Sequence, residues 1–107
     1  MARTYWLDLF TVETWQEFRD HGADVSGFSE SRLPTVKRMK PGDYLLCYLT
    51  RASRWVGILE VTGEPFFDET PIWSSQVFPS RVPACERTTL ATLRAANTNT
   101  YGQASQR

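Results

Sequence analysis

The residues best suited to chemistry in this 107-residue chain are its aromatic rings and a run of basic side chains. Four Trp, four Tyr and six Phe exceed what one small core needs, so some rings are expected to face a ligand. Phe28, Trp55 and Trp73 lie in or beside loops, where rings are free to do so. Six basic residues (Arg32, Lys37, Arg38, Lys40, Arg51 and Arg54) stand between positions 32 and 54 with a single acid, Asp43. Positions 55–78 reverse this, with Glu60, Glu64, Asp68 and Glu69 and no basic residue. A one-sided basic surface suits phosphate contacts. The alternative is a solvated helix face followed by a turn. The formal net charge is zero, so no global field draws in nucleic acid.

Other chemistries find little support. The one histidine, His21, falls near a predicted helix C-terminus, where a cation interacts well with the last carbonyls. It has no nucleophile at a recognisable spacing. Cys47 and Cys85 do not form metal-ligand spacing, and Cys47 sits in an apolar run as a small buried residue. The sequence holds no P-loop and no dinucleotide fingerprint. The acid pairs Glu13/Glu17 and Asp68/Glu69 read as solvated surface. No stretch approaches the roughly 20 apolar residues that span a bilayer, and no signal-peptide core is present. The expectation is a cytoplasmic binding module that is not an enzyme, with no cofactor, metal or membrane.

Positioning such residues requires a framework. Tyr5–Phe10 reads as a buried strand. Thr11 or Thr14 can cap the helix that follows, and Thr14 with Glu17 fits a capping box. Val12, Trp15 and Phe18 then share a face, and Gly22 stops the helix. Residues 23–31 read as a loop, and a short helix is predicted from about Leu33 to Met39. Pro41-Gly42-Asp43 is turn chemistry leading into a strand at Tyr44–Thr50. The turn Arg51–Arg54 reverses the chain into a strand at Trp55–Thr62, where Gly57 marks a bulge or a close approach by another backbone. A long Pro-punctuated connection carries Trp73, and Val77–Val82 is a further strand. Trp6 and Trp15 are assigned to the core, whereas Trp55 and Phe28 are each read either as core or as pocket.

The ordered set Tyr5-Trp6-Leu7, Met39-Lys40-Pro41-Gly42-Asp43, Trp55-Val56-Gly57-Ile58-Leu59-Glu60-Val61, Trp73 and Phe78-Pro79-Ser80-Arg81-Val82 resembles the EVE domain. That family is PUA-like and related to the YTH domains. The resemblance implies an α+β fold, a PUA-like β-barrel flanked by short helices, over residues 1–82. It implies a module that holds a flipped, modified base, most often a modified cytosine, in an aromatic pocket. Phe28, Ser29, Trp55 and Trp73 are the pocket candidates, with Ser26 and Ser31 as further polar contacts. Arg32, Lys37, Arg38, Arg51 and Arg54 are the expected phosphate contacts. The expected partners are DNA or RNA carrying the modified base and, alongside the module, a nuclease or other effector. Two other readings stay open: a protein-interaction domain without nucleic acid, and a small hydrolase like the related ASCH domains. Residues 83–107 depart from the pattern and read as a divergent tail, helical over about Glu86 to Ala96 and disordered after it. The barrel is then incomplete, with an open sheet edge.

Overall fold

A computed structural model describes residues 3–88. Six strands and two short helices form an α+β fold in which one sheet curls into a half-barrel. The strands are β1 (Tyr5–Phe10), β2 (Val25–Phe28), β3 (Tyr44–Leu49), β4 (Arg54–Val61), β5 (Phe66–Phe67) and β6 (Ser80–Glu86). The helices are α1 (Val12–Asp20) and α2 (Leu33–Val36), the latter preceded by a 3₁₀ turn at Glu30–Arg32. The sheet order is β1-β3-β4-β6-β2, with β5 beside β6.

β1 and β3 pair in parallel over six residues, from Tyr5 opposite Tyr44 to Phe10 opposite Leu49. Alternation sends Trp6, Phe10, Leu45, Cys47 and Leu49 into the core, where they meet Phe18, Phe28, Val36, Met39, Leu59 and Val61. The opposite face of the sheet carries a second cluster of Tyr5, Tyr44, Leu46 and Ile58. Parallel strands need a long crossover, and here it contains α1, β2 and α2. The start of the β1–β3 pair is locked by the buried carboxylate of Asp43. It accepts from the Trp6 indole N–H (3.1 Å) and from the backbone N–H groups of Thr4 (3.1 Å) and Lys40 (3.0 Å). The Pro-Gly-Asp turn is therefore also a clamp.

Several local expectations change. Thr11, not Thr14, is the N-cap of α1, and Thr14 is its capping-box partner. Glu17 instead accepts the backbone N–H of Ser74 at 3.1 Å, from the long loop. Val12 is exposed, so α1 buries Thr14 and Phe18 rather than a Val12–Trp15–Phe18 stripe. The loop expected over 23–31 contains β2, which pairs antiparallel with β6. β6 itself begins three residues later than expected and runs through Pro83 to Glu86, past the Val82 boundary. Pro83 is tolerated there because its carbonyl still serves the Thr62 N–H at 2.9 Å. Glu86 is thus the end of a strand, and the rest of the helix expected over Glu86–Ala96 lies almost wholly outside the described residues, as does the disordered tail.

Gly57 marks the bulge, and the group that approaches it closely is a side chain rather than another backbone. Cys47 pairs with Gly57 but Tyr48 pairs with Trp55, so Val56 is the extra residue of a β-bulge. A Cβ at Gly57 would also meet the Trp15 ring at 3.2 Å. The two ends of the sheet order, β1 and β2, are joined across the interior by side chains. The Ser26 hydroxyl donates to Asp8 Oδ2 at 2.6 Å, and both residues are buried.

Candidate nucleic-acid interface

The curl of the sheet gathers one set of chain segments at the end where β1 and β3 finish and β4 starts. The β1–α1 junction, the first turn of α1 and the β3–β4 turn meet there, and the long loop before β6 folds back onto them. Between them lies a cleft of about 290 Å³. Leu9, Phe10, Thr11 and Thr14 form one side, Thr50 the rim, and Ser75, Gln76 and Phe78 the other side. A second hollow, lined by Thr11, Val12, Glu13 and Arg51, abuts it through Thr11.

The loop wall is built by Trp73 and Arg81. Trp73 is only 4% exposed. Its indole N–H donates to the Thr14 carbonyl at 3.2 Å, and its ring meets Phe78 edge-on at 5.6 Å. Gly27 leaves the slot it fills: a Cβ there would come within 2.5 Å of the Trp73 ring and 2.7 Å of the Phe78 carbonyl. Arg81 is 1% exposed and lies under the same indole, 5.5 Å from its centroid. Its guanidinium donates to the carbonyls of Phe78 (3.2 Å), Val77 (3.1 Å) and Thr70. It also faces Asp68 at 3.7 Å. These bonds hold Phe78 at φ +48°, a left-handed conformation that a bulky residue adopts only when its surroundings impose it. The cleft wall is thus a strained loop pinned by one buried cation.

Burial pushes the Arg81 guanidinium below its usual value, and Asp68 partly offsets the shift. The Asp68 carboxyl is held below the ordinary carboxylate range, first by the Thr70 hydroxyl (2.7 Å), then by the Thr70 N–H (2.9 Å), with Arg81 contributing less. A group with a lowered folded value stabilises fully above its unfolded value, about pH 4. It loses that stabilisation as pH falls through the folded value. The loop is therefore expected to loosen on the acid side of pH 4, read as a change in tryptophan fluorescence. Asp68→Asn should remove that acid-side step, and an unchanged step in the variant would count against this anchor.

The residues expected at a pocket from sequence are distributed differently. Phe28 is wholly buried in the barrel core, because its strand turns it inward between β6 and the α2 segment. Ser26 spends its hydroxyl on Asp8 and is closed to a ligand. Ser29 and Ser31 lie together at the surface turn, their hydroxyl oxygens 3.2 Å apart. Trp55 is 47% exposed, but the bulge places it against Tyr48, with centroids 4.9 Å apart. Phe28, Trp55 and Trp73 therefore do not form an open three-ring cage; Trp73 backs the cleft from behind. Sequence reasoning missed Thr11, Thr14, Ser75, Gln76 and Phe78 as cleft residues. Thr11 and Thr14 were legible only as caps, and nothing local marks the others.

The basic residues also separate. Arg51 and Arg54 are exposed in and after the β3–β4 turn, at the cleft end of the sheet. Lys37 and Arg38 follow α2 at the opposite end, where Arg38 lies over the Trp6 ring at 5.6 Å. The length of β3 puts about 15 Å between these ends. Arg32 is half-buried in the 3₁₀ turn after β2. Among the described residues no group of three His, Cys, Asp or Glu side chains is placed to hold a metal ion, and no helix is long and apolar enough to cross a membrane.

With this geometry in hand, comparisons place the chain among known proteins. The EVE domain family profile matches residues 4–99, beyond the Val82 limit of the resemblance read from sequence. UPF0310 protein PYRAB08750 of Pyrococcus abyssi is 34% identical over 91 residues, and UPF0310 protein PH1033 of Pyrococcus horikoshii is 31% identical over 93. Each alignment covers 74% of this chain and 63% of the relative, so the chain spans somewhat less than two-thirds of their length. Among solved structures, the YTH domain-containing protein mmi1, determined in complex with RNA, shares the fold at a TM-score of 0.62 and 12% identity. That match covers 97% of this chain and 73% of the other. Rpa0253 of Rhodopseudomonas palustris matches at a TM-score of 0.51 and 23% identity, over 86% and 70% of the two chains.

Proposed function

The chain belongs to the EVE domain family, and from that membership we propose that it is a nucleic-acid-binding module which seats a flipped base in the cleft between α1 and the long loop. The observation that carries this reading is the juxtaposition of a 290 Å³ cleft with the Arg51–Arg54 turn at one end of the sheet. The RNA bound to the mmi1 protein, which has the same fold, supports a nucleic-acid ligand.

A base taken out of its strand loses a few kcal/mol of stacking, which the site must recover. The half-buried Leu9 offers apolar contact, with the buried Phe10 and Phe78 packed behind the cleft surface. The hydroxyls of Thr50 and Ser75 and the amide of Gln76 supply donors and acceptors for the base edge. Trp73 keeps the wall rigid from behind. Arg51 and Arg54 take the flanking phosphates; Lys37 and Arg38 face away from this strand. In this reading the preferred base is a modified cytosine, the module acts in the cytoplasm without catalysis, and an effector such as a nuclease supplies the chemistry.

The test is a titration of labelled single-stranded and duplex oligonucleotides, with and without a modified cytosine, at two salt concentrations. A preference for the modified strand is expected. Arg51→Ala should lower the salt slope by about 0.7–0.9, the value of one phosphate contact. Lys37→Ala should leave the slope unchanged. Gln76→Ala, at an exposed position, should reduce the preference rather than the slope. Equal affinity for both strands, insensitive to Gln76→Ala, would sink the base-pocket reading.

A further inference from the structure

The two halves of the charge pattern lie on different parts of the molecule, and only the basic half has a role so far. Residues 55–78 carry four acids and no basic residue. In the fold this segment supplies most of β4, where Glu60 pairs with Arg87 at 3.2 Å, then β5, the strand outside β6, and the loop after it, which carries Asp68 and Glu69. Ser80 and Val82 point into the barrel side of β6, so Arg81 and Pro83 point the other way. On that outer side lies a separate cleft of about 300 Å³. His21 and Asp24 form one wall, Asp68 the other, and Phe66, Ile72 and Pro83 give apolar surface. Arg81 is its floor, but its donors serve the carbonyls of Phe78, Val77 and Thr70. The cleft therefore presents the carboxylate of Asp24 together with that of Asp68, whose charge is shared with Thr70 and with Arg81 at 3.7 Å. Asp20, Glu64 and Glu69, close in sequence to its lining residues, are exposed. Beside the cleft β5 exposes Phe66, 39% exposed and opposite Arg81 on the cleft side, while Phe67, opposite Ser80, points to the other face.

An exposed phenyl ring on an edge strand next to a cleft bearing carboxylates is a poor surface for phosphate and a good one for a cationic chain. The geometry points to a docking site for an extended basic segment of a partner protein. One Lys or Arg side chain enters between Asp24 and Asp68. Its methylene stem lies on Phe66, Ile72 and Pro83, and its charge meets the Phe66 ring and the carboxylates. The backbone of the segment runs along β5, adding a strand to the short edge. Arg81 underlies both this site and the wall of the base cleft, but the two clefts share no lining residue, so both are open to occupation at once. It does not depend on the base-pocket reading.

The experiment uses the full chain, ¹⁵N-labelled, and the capped pentapeptide Val-Lys-Val-Arg-Val as probe, with Val-Glu-Val-Glu-Val as control. The basic peptide is expected to shift the amide resonances of His21, Phe66, Thr70 and Ile72 in a saturable, salt-sensitive way. Asp24→Asn, a change at an exposed position, should weaken it at least tenfold, and Phe66→Ser should weaken it without altering the remaining spectrum. The inference is overturned if the acidic peptide produces the same shifts or if the basic one produces none at millimolar concentration. Shifts driven by protein concentration alone would assign the face to a second copy of the chain. Shifts of the same resonances with an oligonucleotide would assign it to nucleic acid. Either result also overturns it.

Discussion

Replacing Arg81 by alanine is expected to lower the folding free energy by about 3 kcal/mol and to abolish oligonucleotide binding at the cleft. The side chain is 1% exposed and donates to three carbonyls of the loop that walls the site. Charge-assisted hydrogen bonds are each worth about 1.5–3 kcal/mol, and carbonyls left behind in a closed space add a desolvation cost. The exposed Asp68 contributes little to this sum, since a solvated partner is well screened. The loop also depends on Arg81 to keep Phe78 at its positive φ, so removing the cation releases the strain by moving the wall. Arg81→Lys should restore little, because a single ammonium cannot reach three carbonyls with the geometry of the planar fork. Urea denaturation of both variants measures the first effect. A midpoint for Arg81→Ala that corresponds to a loss below about 0.5 kcal/mol, the range of a neutral surface change, would falsify the clamp.

Gly27→Ala is the second large effect, and it separates packing from charge. The added methyl would lie 2.5 Å from the Trp73 ring and 2.7 Å from the Phe78 carbonyl. The indole cannot swing aside freely, because its N–H is bonded to Thr14 and its other face lies by Arg81. Overpacking of this kind costs about 1–3 kcal/mol. The displaced indole should lose its bond to Thr14 and expose its ring, giving a red-shifted emission together with a large loss of oligonucleotide affinity. Thr14 belongs to the cleft, so the same displacement reaches the site from behind. Normal affinity with a shifted indole would show that Trp73 is packing only. If Asp24→Asn leaves base binding intact while Gly27→Ala removes it, the two clefts are functionally separate.

The contrast between these two positions shows what each level of description carries. β1, β3 and β4 are legible in the sequence because each is a run of six to eight apolar or β-forming residues bounded by turn chemistry. Such a run favours a strand whatever it later pairs with. Pro41-Gly42-Asp43 is legible for a similar reason, although its carboxylate clamp on Trp6 is not. The family is legible because its marks lie in order along the chain. The half-barrel follows from the same marks, and the profile match over residues 4–99 agrees with them.

β2 and β5 were not legible. Val25-Ser26-Gly27-Phe28 has weak strand propensity and is extended because β6 offers it a ladder. β5 is two residues long and exists only as an addition to the same strand. The fate of the rings follows from this. A Phe or Trp beside a loop has the same local signal whether it turns toward ligand or core. Phe28 went inward once β2 paired, and Trp73 was drawn into the slot above a glycine 46 positions earlier in the chain. Trp55 was turned outward by a one-residue slip at Val56. By itself the sequence determined β1, β3 and β4, the turns beside them, the charge reversal near Trp55 and the family. Only the tertiary structure decided which side chains line the cleft, because that cleft is made by the β1–α1 junction, the β3–β4 turn and the loop before β6. Those segments are distant in sequence, and the curl of one sheet and the reach of one arginine bring them together.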